Sequence, residues 1–184
     1  MLRMAFGVTP FDHAVRGWVM AHQQEGMHRF FDAVSTIGGV SPLDWAGIVL
    51  ALVLLARGRR RAALGVGVSP FLSLMAYTGT RRVVSRERPP SAAGLHEASN
   101  SFPSAHSTTA TAVCCTVAYV LWRERMLSAP AAISLAIVPP ALIGASRLYL
   151  DVHWATDVIA GWIAGLVITV VAALVYRRVG SLER

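Results

Sequence analysis

His153 and Asp157, in the stretch DVHWATD, stand four residues apart where an apolar run begins. On a helix that spacing sets both side chains on one face, about 6 Å apart along the axis. A carboxylate there can accept from one ring nitrogen, which fixes the tautomer and leaves the other nitrogen as a lone-pair nucleophile. The simpler reading is a satisfied polar pair capping a membrane helix. An ionisable residue inside an apolar span is costly, however, and marks function by default. Ser146 and Arg147 lie seven and six residues before His153 and are carried towards it by the turn between two apolar runs.

Two other polar stretches have the same double character. In SFPSAHS (101–107), Ser104 is placed to cap the helix that TTATAVCCTVAYVLW begins. The same free amides and hydroxyl also make an anion site at a helix N-terminus, with His106 beside it to pass a proton. In RRVVSRERPP (81–90), Arg86 and Glu87 read as lipid-headgroup anchors. Arg88 is different, because Pro89 and Pro90 fix the chain just beyond it and its guanidinium edge matches phosphate oxygens in a bidentate way. Together Arg81, Arg88, Arg147, His106, His153, Ser104 and Asp157 suit one kind of chemistry, in which a phosphoryl group is held, attacked by histidine, and the group that leaves is protonated. A zinc site built from His106, His153 and an aspartate is the alternative in principle. The arginines would repel a cation, so neither a metal nor a cofactor is expected.

The elements that must position these groups are apolar helices. Apolar residues make up 54 % of the 184 and charged residues 15 %, well under the quarter usual for soluble domains; mean hydropathy is +0.51. Five segments read as spans of roughly 20 residues: 45–56, 62–80, 107–122, 127–145 and 154–176. The first reaches that length only by borrowing from TIGGVSPLD before it. Pro70, Pro139 and Pro140 are tolerable inside membrane helices when neighbours satisfy the backbone. Residues 13–35 are too polar to span comfortably and are expected to lie in the interface as an amphipathic helix, with a sixth span as the alternative. The N-terminus has no uninterrupted apolar core of signal-peptide type. Cys114 and Cys115 read as small buried hydrophobes.

Following the chain back and forth across a bilayer brings Arg81–Pro90, Ser104–His106, Ser146–Arg147 and His153–Asp157 to one side. The opposite side carries nine arginines, against five on the motif side and three in the N-terminal segment. Positive residues in short loops favour the cytoplasm, so the motifs are expected to face away from it. All 17 basic residues are arginines and the net charge is +7, but they flank spans and do not line a soluble face. No nucleic-acid partner is expected.

With these motifs the sequence resembles the type 2 phosphatidic acid phosphatase family. The family's Lys, six residues, Arg-Pro corresponds to Arg81 through Arg88-Pro89, and its Pro-Ser-Gly-His to Pro103-Ser104-Ala105-His106. Its Ser-Arg, five residues, His, three residues, Asp is matched in full by Ser146-Arg147, His153 and Asp157. Arginine replaces lysine at 81, where Arg82 offers a second register, and alanine replaces glycine at 105. The resemblance implies an all-α polytopic membrane helix bundle of five to six transmembrane helices with an N-terminal amphipathic segment. It further implies a metal-independent phosphohydrolase of membrane lipid phosphates. His153 would be the nucleophile, giving a phosphohistidine, with Asp157 orienting it and His106 as acid and then base. Arg81, Arg88, Arg147, Ser104, Ser146 and the amide of Ala105 would hold the phosphoryl oxygens. One integral-membrane domain over 1–184 is expected, with 1–40 amphipathic and 41–180 forming the core. The expected partners are the bilayer and a phosphorylated lipid, foremost a polyprenyl diphosphate such as undecaprenyl diphosphate. Phosphatidic acid, phosphatidylglycerol phosphate, other polyprenyl phosphates and lipid A phosphates are the alternatives. Phosphotransfer to another acceptor and a non-enzymatic lipid-binding bundle are the rival functions.

Overall fold

The structure is a computed structural model of the 184-residue chain and describes residues 4–5, 7–90 and 100–182. Arg3 and Arg184, which enter the charge balance above, lie outside the described residues. Among the described residues two short parallel strands, β1 (Met4–Ala5) and β2 (Val84–Ser85), accompany seven helices. These are α1 (Pro10–Ala21), α2 (Glu25–Ile37), α3 (Val40–Ala56), α4 (Arg60–Val83), α5 (Ala105–Arg123), α6 (Ala129–Tyr149) and α7 (Ala155–Leu182).

Local chemistry explains most boundaries. Thr9 and Asp12 form a reciprocal capping box ahead of α1, and Pro10 takes the first helical position, where no N–H is needed. Ser104 caps α5 and Ser128 caps α6. The segment expected as one amphipathic helix over 13–35 is two helices, broken between Ala21 and Glu25. A second break at Gly38 and Gly39 bends α2 against α3 by 43°, and the pair together is long and apolar enough for one broken span. The short apolar run at 45–56 does borrow from the residues before it, since α3 starts at Val40.

Two of the internal prolines, Pro70 and Pro140, are accommodated by side chains. Pro70 cannot donate to the carbonyl four residues back, and the Ser69 hydroxyl donates to that Val66 oxygen at 2.8 Å. Pro140 likewise leaves the Ala136 carbonyl without its helical donor, and the Cys115 thiol on α5 approaches it at 3.3 Å. These two carbonyls, freed inside an apolar medium, are thus satisfied from within the bundle.

α5 sits among α3, α4, α6 and α7. Among the described residues α4, α6 and α7 are each apolar and long enough to cross a membrane, and the α2–α3 pair adds a fourth candidate. α5 does not qualify, in contrast to the expectation for 107–122. Thr108, Thr109, Thr111 and Thr116 dilute its hydropathy, and all four are buried against other helices. A helix wrapped by protein need not be as apolar as one facing lipid.

Contact between α5 and α7 is set by glycine. A Cβ on Gly161 would come within 2.8 Å of the Ser104 carbonyl oxygen and of Ser107 Cβ. One on Gly165 would stand 2.5 Å from Thr111 Cβ and 2.8 Å from the Thr108 carbonyl. Such small-residue stripes let membrane helices approach closely. Asp157 lies one turn before Gly161 on the same face, so the stripe seats its carboxylate beside the start of α5. At the far end Glu124 accepts from Arg59 (2.8 Å), Arg61 (2.9 Å) and Tyr176 (2.8 Å), tying α4, α5 and α7 together.

Gly165→Ala should therefore destabilise the protein by about 2 kcal/mol, because the clash involves backbone as well as side chain. Gly67→Ala, whose new methyl would meet only Ala51 Cβ at 3.5 Å, should be neutral or slightly stabilising. Thermal unfolding of both variants in one detergent checks the pair.

Candidate active site

His153 occupies the turn between α6 and α7 and is 3 % exposed. Arg88 Nη1 donates to the Val152 carbonyl at 2.7 Å and to His153 Nε2 at 3.1 Å. A guanidinium can only donate, so Nε2 holds the lone pair and the ring proton is on Nδ1. Nδ1 faces Asp157 Oδ2 at 3.4 Å, and the same oxygen accepts from the Trp154 amide at 2.9 Å. Burial is the main force acting on the imidazole and lowers its pKa to about 4. The hydrogen bond to Asp157 pulls the other way, and the charges of Arg88 and Arg147 add to the lowering. At neutral pH the ring is uncharged.

The remaining sequence candidates converge on this end of the bundle. Ser104 is fully buried at the α5 N-terminus, where its oxygen accepts from the Ser107 amide at 3.4 Å and the Ser107 hydroxyl at 3.1 Å. A hydroxyl that accepts twice keeps its own hydrogen for a third partner. Its amide donates to the Asp157 carbonyl at 3.1 Å, locking α5 to α7. Capping and site-building are thus done by one residue. Ala105 is buried, and the half-buried His106 lies within electrostatic reach of Arg147, His153, Arg81 and Arg88. Arg147 is buried on α6 and donates to Ser35 of α2 at 2.5 Å. Ser146 turns back into its own helix, donating to the Ile143 carbonyl at 2.7 Å. Arg81 is half-buried with its guanidinium over the Tyr77 ring, whereas Arg82 is exposed.

Arg86 overturns the headgroup-anchor reading. It is 4 % exposed, donates through Nη1 to Asp157 Oδ1 and to Thr156 Oγ1 (2.7 Å), and through Nη2 to Asp12 Oδ2 (2.6 Å). Asp12 and Thr156 were not among the sequence candidates. Burial raises the Asp12 pKa, but backbone and hydroxyl donors from Thr156 and Thr9 outweigh it and bring the value to about 2. In the structure Val84 and Arg86 are buried, while Glu87 is exposed between its arginine neighbours. A spacing of two is the period of an extended segment, and it directs Arg86 to the same side as Arg88. Glu87 alone keeps an exposed side chain, as a headgroup neighbour would.

Among the described residues no three His, Cys, Asp or Glu side chains come together as a metal-binding group. An apolar groove of about 330 Å³ lies between α5 and α6, lined by residues such as Ala118, Trp122 and Ile133. It is at the far end from His153 and carries no charged group.

A helix bundle with arginines, histidines and a carboxylate gathered at one end defines a membrane protein equipped to bind an anion. The PAP2 superfamily model matches residues 62–181, and the chain belongs to that family. The chain is 39 % identical over 127 residues to the decaprenylphosphoryl-5-phosphoribose phosphatase of Mycolicibacterium smegmatis, covering 67 % of this chain and 65 % of that protein. It is 39 % identical over 88 residues to phosphatidylglycerophosphatase B of Bacillus subtilis, covering 46 % and 43 %. The chain thus matches about two thirds and less than half of these curated relatives' lengths. The crystal structure of a transmembrane PAP2-type phosphatidylglycerolphosphate phosphatase from Bacillus subtilis superimposes with a TM-score of 0.73 at 27 % identity, over 88 % of this chain and 82 % of that one.

The His153 environment has a measurable consequence. Its folded pKa is below that of the unfolded chain, so stability falls as pH drops from 6.5 towards 4, by on the order of 3 kcal/mol. His153→Ala should lose correspondingly less stability than wild type over that window, in denaturation curves measured at both pH values.

Proposed function

We propose that the protein is a metal-independent membrane phosphatase that hydrolyses a lipid phosphate or diphosphate through a phosphohistidine at His153. The observation that carries this reading is the placement of the His153 ring, with Nε2 3.1 Å from Arg88 Nη1 and Nδ1 3.4 Å from Asp157 Oδ2. An incoming phosphoryl group takes over the donors of Arg88, and its remaining oxygens meet Arg81, Arg147, Ser104, Ser146 and the amide of Ala105. Nε2 attacks phosphorus as the bond to the leaving oxygen breaks, and His106, protonated when the phosphate anion binds beside it, gives that oxygen its proton. Asp157 stabilises the charge that the ring acquires. His106, now a base, takes a proton from water; the hydroxide breaks the P–N bond, restoring Nε2 and releasing inorganic phosphate.

The substrate favoured is a polyprenyl phosphate or diphosphate, with undecaprenyl diphosphate as the first to test. The decaprenyl lipid in the name of one relative supports the class, and the phosphatidylglycerolphosphate phosphatase names support a monoester of a diacyl lipid as the second reading. The motif face is proposed to lie outside the cytoplasm, on the balance of nine arginines at the opposite side against five in the motif loops.

Purified protein in detergent, with chelator present, should release phosphate from a polyprenyl diphosphate, and His153→Ala should fall to background. Activity that survives in the variant overturns the nucleophile. A diphosphate expels a stabilised phosphate, whereas a monoester expels an alkoxide that needs a proton. His106→Ala should therefore reduce monoester turnover by about 100-fold or more and diphosphate turnover by much less. In intact cells, with Cys114 and Cys115 replaced, an impermeant thiol reagent should label Gly7→Cys and spare Ser128→Cys. The reverse pattern would invert the orientation.

A further inference from the structure

A buried arginine must be paired, or it costs several kcal/mol. Arg86 is paired in a particular way. Its fork divides between two carboxylates that are themselves withdrawn from water, Asp157 on Nη1 and Asp12 on Nη2. Asp157 in turn divides its oxygens: Oδ1 goes to Arg86, while Oδ2 serves the Trp154 amide and His153 Nδ1. A carboxylate held at one oxygen by a planar donor cannot turn the other away from the imidazole.

The chain segment that supplies Arg86 also supplies Arg88, which touches the opposite nitrogen of the same ring at 3.1 Å. One stretch therefore sets both edges of His153: Arg88 directly and Arg86 through Asp157. Docking of α1 does not by itself require this arginine. Arg16 on α1 already pairs with Asp151 at 2.8 Å through both Nε and Nη2, and Asp12 already accepts the Thr156 amide at 2.9 Å. The charge count also matters. Asp12, Arg86 and Asp157 together carry one net negative charge. Asp12 thus keeps Arg86 from neutralising the carboxylate that faces a ring destined to become cationic.

We propose that Arg86 is a positioning residue for the His153–Asp157 pair, and that Asp12 holds Arg86 in place, making the N-terminal helix α1 part of the active site. This rests on the phosphatase reading above for its kinetic consequences, but not for its geometry.

The test pairs a measurement that needs no substrate with one that does. Around the imidazole the charged and titratable groups are Arg88 after β2, Arg147 on α6, His106 on α5 and Asp157 on α7. Behind them stand Arg86 with Asp12, and Arg16 with Asp151. Only Arg86 is altered, and its neutral and cationic replacements separate its charge from its hold on Asp157. In 15N-histidine spectra of the detergent-solubilised protein, Arg86→Gln should raise the His153 midpoint by about one pH unit, because a cation that opposes ring protonation is removed. Arg86→Lys keeps the charge and loses the fork, so its midpoint should stay within about 0.3 units. In turnover of the lipid phosphate, Arg86→Gln should lower kcat by about 100-fold with KM within about twofold. Arg86→Lys should recover part of that loss, and Asp12→Asn should lower kcat without raising KM. If Arg86→Gln does not fold, the lysine variant carries the kinetic test. An unmoved midpoint together with kcat within threefold of wild type in folded Arg86→Gln would sink the proposal. So would a loss confined to KM. A wild type that hydrolyses no lipid phosphate, with the midpoint shift still present, overturns the phosphatase reading and leaves the role of Arg86 standing.

Discussion

A carboxylate with no contact with water at the start of a membrane helix must find all its partners within the protein, and that of Asp157 finds them in two different parts of the chain. Arg86 comes from the segment after β2, the Trp154 amide and His153 from the turn before α7. The backbone carbonyl of Asp157 takes the Ser104 amide as well, so the residue holds α5 from its main chain and the arginine segment from its side chain. Leaving such a charge unsatisfied in a low-dielectric interior would cost several kcal/mol. That requirement draws the ends of α4, α5, α6 and α7 to one point. The glycine stripe on α7 makes the approach sterically possible, since a methyl at Gly161 or Gly165 would meet α5 backbone.

The rest of the bundle follows from keeping this polar end apart from an apolar body. Along the helices the few polar side chains serve the backbone: Ser69 covers a carbonyl freed by Pro70, and Cys115 one freed by Pro140. Leu52, Phe71, Ile137 and Val170 remain exposed, as residues facing hydrocarbon should. Glu124 with Arg59, Arg61 and Tyr176 closes the opposite end with a second, separate ion cluster. A phosphate group at the polar end would lie at headgroup depth, with its lipid tail beside the apolar helices.

α1 has its amphipathicity inverted relative to a helix on a soluble protein. Asp12 is buried while Phe11 and Trp18 are exposed, at 52 % and 65 %. Its polar face turns inward to Arg86, Thr156 and Asp151, and its apolar face is left for the membrane interface, where tryptophan is at home. The amphipathic segment expected over 13–35 divides into α1 and α2, and the second helix packs beside α6.

Local patterns carried much of this protein in the sequence itself. The apolar runs gave four of the helices and most of a fifth, because burial in lipid needs only composition and length. The spacing of His153 with Asp157, of Ser104 with His106 and of Arg81 with Arg88 marked the groups that meet, because each pair lies within one element or one short segment. The fate of Arg86 was not legible, since its partners Asp12 and Asp157 are 74 and 71 residues away and an arginine beside a span has an equally good partner in a headgroup. The inclusion of Thr-rich α5 at the centre depended on neighbours that hide its hydroxyls. The breaks around α2 depended on where α6 offered Tyr149, Ser35's partner Arg147 and Ile143 to pack against. Sequence determined which residues could do the chemistry and at which end of the bundle they stand. Tertiary structure alone decided which arginine answers the buried carboxylate, because pairing a charge away from water is settled by distance in space and not along the chain.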